Sequence, residues 1–280
     1  MSLPFIPSDA GLLCVQAGVV LGPRPVRLPA RLARVRGRAW GLVPIASIVL
    51  VIFAIRFVSD TATGLTYLAL VAVPLLAAAA LGGAMRGGRP LLALLAVPLF
   101  LLAWQDRASL IGEAAATLLS ALSCVTLGVL LGMVTPAAWL KAGIVLMAVA
   151  DVWLVASDLL QAPNATLVAA APGGGLPQLQ SELFGSVSMG YGDLFVAALL
   201  GAVLACDWRR QRIGALLTLA LAGVFDLLFF VLHELPATVP VALALIVLEV
   251  SAWRRRRGER RASGARRRST PGAATPPPVT

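Results

Sequence analysis

The stretch EAAATLLSALSCVTLGVLLGMVTPAAWLKAGIVLMAVADVWLVASDLL, residues 113–160, decides the fold. It holds two apolar runs, Glu113–Val134 and Ala137–Leu160, parted by Thr135-Pro136. Each is about as long as the roughly 20 residues a helix needs to cross a hydrocarbon core. A proline at the join stops one helix and lets the next begin. After Glu113 the only charges are Lys141, Asp151 and Asp158. Two membrane helices joined by a tight break are the expectation, with an acid left inside the second.

The rest of the chain follows the same pattern. Of its 280 residues 59% are hydrophobic and 13% charged, with mean hydropathy +0.89. Soluble domains run at about 45–50% apolar and about 25% charged. A water-soluble enzyme, a disordered chain and an ordinary secreted domain are excluded. Six further spans are expected: Gly41–Val58, Thr63–Met85, Pro90–Gln105, Val187–Cys206, Arg212–His233 and Pro236–Trp253. A ninth stretch, Leu3–Leu21, is weaker because it carries Asp9, Pro4 and Pro7. The fold class is therefore all-α, a polytopic transmembrane bundle of eight or nine helices. Residues 1–40 read as an N-terminal segment, 41–253 as the bundle, and 254–280 as a basic, disordered tail. Cys14, Cys124 and Cys206 show no close pair, so neither a disulfide framework nor a thiolate metal site is expected.

Basic residues orient the bundle. On alternating spans, all of the 23 Lys and Arg except Arg56 and Arg107 fall on one side. That side is expected to be cytoplasmic, with the C-terminus inside and the loop 161–186 outside. The Ala/Arg/Gly-rich bias suggests a bacterial plasma membrane. The basic run from Arg254 to Arg268 reads as a stop signal that can also attract anionic lipid. It has no interleaved aromatics, and no nucleic-acid partner is expected.

Thirteen acids are present, and Asp151, Asp193 and Asp226 fall well inside spans. An ionisable group at membrane depth costs several kcal/mol and marks either function or a polar contact between helices. Asp151 lies nine positions before Leu160, and Asp193 nine after Phe184. At about 1.5 Å per residue, both sit roughly 13 Å below the outer ends of an antiparallel pair. Two carboxyl groups at one level cannot both ionise cheaply, so one keeps a proton. Together they can take a proton from water and donate one to an amide carbonyl, with no metal or other cofactor.

Asp193 is preceded by Gly190-Tyr191-Gly192, whose glycines remove side-chain bulk and let a helix or an extended substrate approach. The last span opens with Pro236-Ala237-Thr238-Val239-Pro240-Val241-Ala242-Leu243. Pro240 is expected to block a regular helix before it, leaving irregular backbone that could pair with an extended peptide. On these residues the substrate-binding set is Gly190, Tyr191, Gly192, Pro236, Ala237, Pro240, Ala242 and Leu243.

In this order the three elements resemble the presenilin and signal peptide peptidase family of G-x-G-D intramembrane aspartyl proteases. Ala150-Asp151-Val152-Trp153 is similar to the family's first motif, with Ala150 where a tyrosine is usual. Gly190-Tyr191-Gly192-Asp193 is similar to the second, and Pro236-Ala237-Thr238 or Pro240-Val241-Ala242-Leu243 to the family's Pro-Ala-Leu. Ala162–Val168 resembles the connecting stretch. The likeness covers about residues 140–250. It implies an endopeptidase with Asp151 and Asp193 as catalytic pair and a transmembrane peptide or signal-peptide remnant as substrate. The expected orientation matches the signal peptide peptidase branch. Met189–Asp193 also resembles prepilin peptidases, although Phe195 stands where those carry lysine. A non-enzymatic transporter or scaffold, using the acids as a proton path or polar contact, is the other alternative. Asp226 lies two turns before His233, the only histidine, which reads as interfacial.

Overall fold

The computed structural model describes residues 4–26, 36–44, 46, 50, 61–107, 109–157, 166, 169–170, 172–179, 181–230 and 236–268. Among them are eight α-helices: α1 (Phe5–Leu21), α2 (Thr61–Ala79), α3 (Ala96–Gln105), α4 (Leu110–Val134), α5 (Ala137–Ala156), α6 (Tyr191–Leu204), α7 (Trp208–Phe225) and α8 (Thr238–Arg268). One antiparallel hairpin, β1 (Ser181–Phe184) and β2 (Val187–Gly190), precedes α6. The chain is thus a mostly helical bundle. Among the described residues four helices are long and apolar enough to cross a membrane: α2 continued to Ala84, α4, α5, and α7 continued to Leu228. Their outward faces are greasy. Val71, Leu75, Leu216 and Val224 are each 63–66% exposed. Such surface is unfavourable against water by about 25 cal/mol per Å² and costs nothing against lipid.

The break at Thr135-Pro136 works as expected. Thr135 leaves the helical region at φ −105°, ψ 134°, and Pro136 caps α5 without needing an N–H. Ser109 caps α4, its hydroxyl accepting from Gly112 N at 3.3 Å. The centre of the bundle is the crossing of α4 and α6. A Cβ at Gly128 would lie 2.8 Å from the Ala198 backbone, and one at Gly132 would lie 3.1 Å from Ala202 Cβ. Small residues four apart on both helices let the backbones close to van der Waals contact.

The weak N-terminal stretch is a full helix and belongs to the interior. Pro4 and Pro7 fall at its start, where their missing N–H groups have no helical partner to lose. Leu12 and Val20 are fully buried, as are the polar Ser8 and Gln16. α1 packs most extensively against α7 and α6. At Gly201 a Cβ would come within 2.4 Å of the Val20 carbonyl. The boundary expected at residue 40 is therefore corrected: residues 5–21 are part of the bundle. Buried Gln211 fastens this end, its Nε2 donating to the carbonyls of Val20 at 2.8 Å and Pro23 at 3.0 Å. Its Oε1 accepts from Arg86 Nε at 2.9 Å, and Arg86 lies 4.7 Å over the Trp208 ring.

Three further boundary differences bear on the site and the tail. The helix expected from Val187 starts at Tyr191, because Val187–Gly190 is a strand paired with Ser181–Phe184. The two-residue turn Gly185-Ser186 forms it, with Gly185 at φ 63°, a conformation that favours glycine. The last helix starts at Thr238 and takes Pro240 into its first turn, so the irregular backbone expected there is confined to Pro236 and Ala237. The same helix runs to Arg268 rather than giving way to a disordered tail at residue 254. Alanine and arginine are good helix formers, and Arg257 adds a cation–π contact 4.1 Å over Trp253. Residues Met1–Leu245 form one unit and Ile246–Thr280 another. Most of the Gly41–Val58 span, Asp158, most of Ala162–Val168, His233 and residues 269–280 lie outside the described residues.

Candidate functional site

Asp193 is the third residue of α6, directly beneath the hairpin. Gly190 holds an extended conformation at φ −73°, ψ 141°, which ends β2 and begins the helix. Its N–H donates to Asp193 Oδ2 at 3.1 Å. This is half of a capping box, in which the third residue reaches back to the N-cap. The carboxylate is thereby fixed in direction by its own helix start. Sequence spacing set it deeper; the hairpin consumes the residues that were counted as helix.

Asp151 sits about one and a half turns before Ala156 on α5. Its Oδ2 accepts from the Thr238 hydroxyl at 2.6 Å. Thr238 is buried at the first residue of α8, and the neighbouring Ala237 carbonyl accepts from Gln16 Nε2 at 3.1 Å. The buried Gln16 of α1 thus anchors the Pro236-Ala237-Thr238 corner, and that corner holds Asp151. The Asp151 and Asp193 side chains come near enough to feel each other's charge. Asp193 lies in the first turn of α6 and Asp151 within the last two turns of α5. Each carboxyl group has one oxygen held by a protein donor and is presented from a different helix.

The remaining residues of the set divide. Gly192 is exposed, and a Cβ there would meet nothing within 4 Å. A Cβ on Gly190 would come 3.1 Å from Asp193 Oδ2. Tyr191 turns to α4, where its hydroxyl lies 2.7 Å from Ser123 Oγ. Pro236 and Ala237 are half-buried beside the Asp151 corner, Pro240 and Ala242 are buried within the helix, and Leu243 is 40% exposed. Sequence reasoning missed Thr238 and Gln16 as partners of this corner. Thr238 stands where the resembling motif has leucine, and a hydroxyl in that place was the available signal.

It also missed a second acid pair. Asp9 on α1 and Asp226 at the end of α7 bring their carboxyl groups close to each other. Asp226 Oδ2 is buried without a hydrogen-bond partner among the described residues. This pair lies at the same end of the bundle as the first, since Ser8 beside Asp9 accepts from Ser186 of the hairpin at 3.3 Å. No local motif joins residues so far apart in the chain. Among the described residues no three of His, Cys, Asp and Glu gather as a metal site would require. Comparison with protein-family models, with curated proteins and with solved structures finds no match to this chain.

Proposed function

We propose that the protein is an intramembrane aspartyl endopeptidase resembling the presenilin and signal peptide peptidase family. It would cross a bacterial plasma membrane with eight or nine helices and keep its C-terminus in the cytoplasm. The observation that carries the reading is the approach of Asp151 and Asp193, each aimed by a separate donor, Thr238 and the Gly190 N–H. Such a pair, acting as one titrating unit, takes a proton from water and gives one to the scissile amide. Donors fixed before the reaction spare the reorganisation that water would need. A transmembrane helix hides its amides, so the substrate must unwind locally before attack. Gly192 leaves room for that backbone, and the two-stranded hairpin offers unpaired edges against which an extended segment can hydrogen-bond. With residues 238–243 helical and the Ala237 carbonyl engaged, the hairpin serves this role better than the Pro236–Leu243 segment.

The test is cleavage of a reporter transmembrane peptide by purified protein in detergent. Asp151→Ala and Asp193→Ala should each abolish it while the protein still inserts and folds. A double variant that cleaves as well as wild type ends the proposal. One observation favours a second reading, movement of protons or cations: the half-buried Asp9–Asp226 pair adds a second acid site at the same end of the bundle. Proton uptake into proteoliposomes that is lost with Asp9→Asn, and no peptide cleavage by wild type, would favour it.

A further inference from the structure

The end of the bundle opposite the hairpin holds a cavity of about 670 Å³, within the range of ligand sites. Its floor is apolar, built from Val129 and Met133 of α4 and Val203 of α6. Arg24 and Arg36 also line it, and among the described residues no carboxylate does. Both arginines rest on fixed backbone. Arg24 N donates to the Ala84 carbonyl at 3.2 Å, and Gly37 N, next to Arg36, donates to the Val134 carbonyl at 3.0 Å. Among the described residues neither guanidinium is paired with an acid.

A second, independent feature points to a ligand. Thr135 lines the same cavity and is 1% exposed, yet its hydroxyl has no hydrogen-bond partner among the described residues. A buried hydroxyl without a partner costs free energy, and such groups are nearly always satisfied by something. Two guanidiniums beside a free hydroxyl suit a phosphate, because arginine binds its oxygens in a two-pronged fashion. The apolar floor suits hydrocarbon, and Arg86, which donates to the carbonyl of cavity-lining Ala205, adds a third positive charge beside it. Basic pockets between helices at the cytoplasmic side of a membrane take anionic lipid head groups.

We infer that this cavity binds the phosphate head group of an anionic membrane lipid, with Arg24 and Arg36 on the phosphate, Thr135 donating to it, and the adjoining acyl carbons on the α4–α6 floor. The inference does not rest on the proteolytic reading. It is tested on the full chain in detergent, by native mass spectrometry of retained lipid and by thermal melting. Phosphatidylglycerol should be retained and should raise the melting temperature, and phosphatidylcholine should do neither. Arg24→Gln with Arg36→Gln should weaken retention roughly thirtyfold. Arg256→Gln with Arg257→Gln, on α8, should change it less than threefold. Thr135→Val keeps the shape of the side chain and should weaken retention several-fold, which covers the case in which the double arginine variant does not fold. Equal retention of the two lipids, or retention unchanged by Thr135→Val and by loss of both arginines, overturns the assignment. Protection by inorganic phosphate alone, equal to that by phosphatidylglycerol, also overturns it and leaves a site for a free anion.

Discussion

Replacing Thr238 by valine removes one hydroxyl while keeping the shape of the side chain. That hydroxyl donates to Asp151 Oδ2 at 2.6 Å, near the short end of the usual range for oxygen donors. A hydrogen bond to a charged group contributes about 1.5–3 kcal/mol. If the bond persists in the transition state, its loss slows cleavage about 10- to 150-fold at 1.36 kcal/mol per decade. The change should fall on kcat, since Thr238 touches the acid and not the substrate. Reporter-peptide kinetics in detergent measure it, and Thr238→Ser should recover activity to within about threefold. A thermodynamic cycle separates the bond from the chemistry. Thr238→Val and Asp151→Ala, alone and combined, should show a coupling of about 1.5–3 kcal/mol in unfolding free energy. A coupling below about 0.5 kcal/mol, within the range of sites that do not interact, together with an unchanged kcat, would refute the reasoning.

Asp9→Asn and Asp226→Asn should leave cleavage within about tenfold of wild type, the lower end of what a proton-transferring group contributes; a loss as deep as that of Asp193→Ala would move the active pair to α1 and α7. Gly201→Ala should destabilise the protein by about 1–3 kcal/mol in denaturant unfolding, since its Cβ would press on the Val20 carbonyl. Gly223→Ala, with nothing within 4 Å, is the control and should gain up to about 1 kcal/mol. Gly192→Ala should leave stability unchanged and raise KM, whereas Gly190→Ala should lower kcat by crowding the Asp193 carboxylate.

The helices were legible where long apolar runs meet a strong stop, as at Thr135-Pro136. Periodicity could not mark the start of α6, because Val187 to Leu204 reads as one apolar run and strand becomes helix within it at Gly190. The packing of α1 was obscured by Asp9, Pro4 and Pro7, and the stretch also carries the polar Ser8 and Gln16. Each of these polar groups finds its partner far away in the chain, at Asp226, Ser186 and Ala237. The Asp151 and Asp193 positions were legible because both acids interrupt apolar runs on consecutive spans. Their supports were not, since Thr238 and Gln16 are ordinary residues until the fold brings them together.

The burial of α1 against α7 bears on how the molecule is made. Ribosomes deliver α1 first, and roughly 190 residues must follow before α7 emerges, a delay of about 10–40 s at ordinary elongation rates. Until α7 emerges, the carbonyls of Val20 and Pro23 lack the Gln211 amide that they have at completion. The first helix thus takes its final place only after most of the chain has been made. Assembly therefore closes like a ring, its opening stave locked only when a late one arrives.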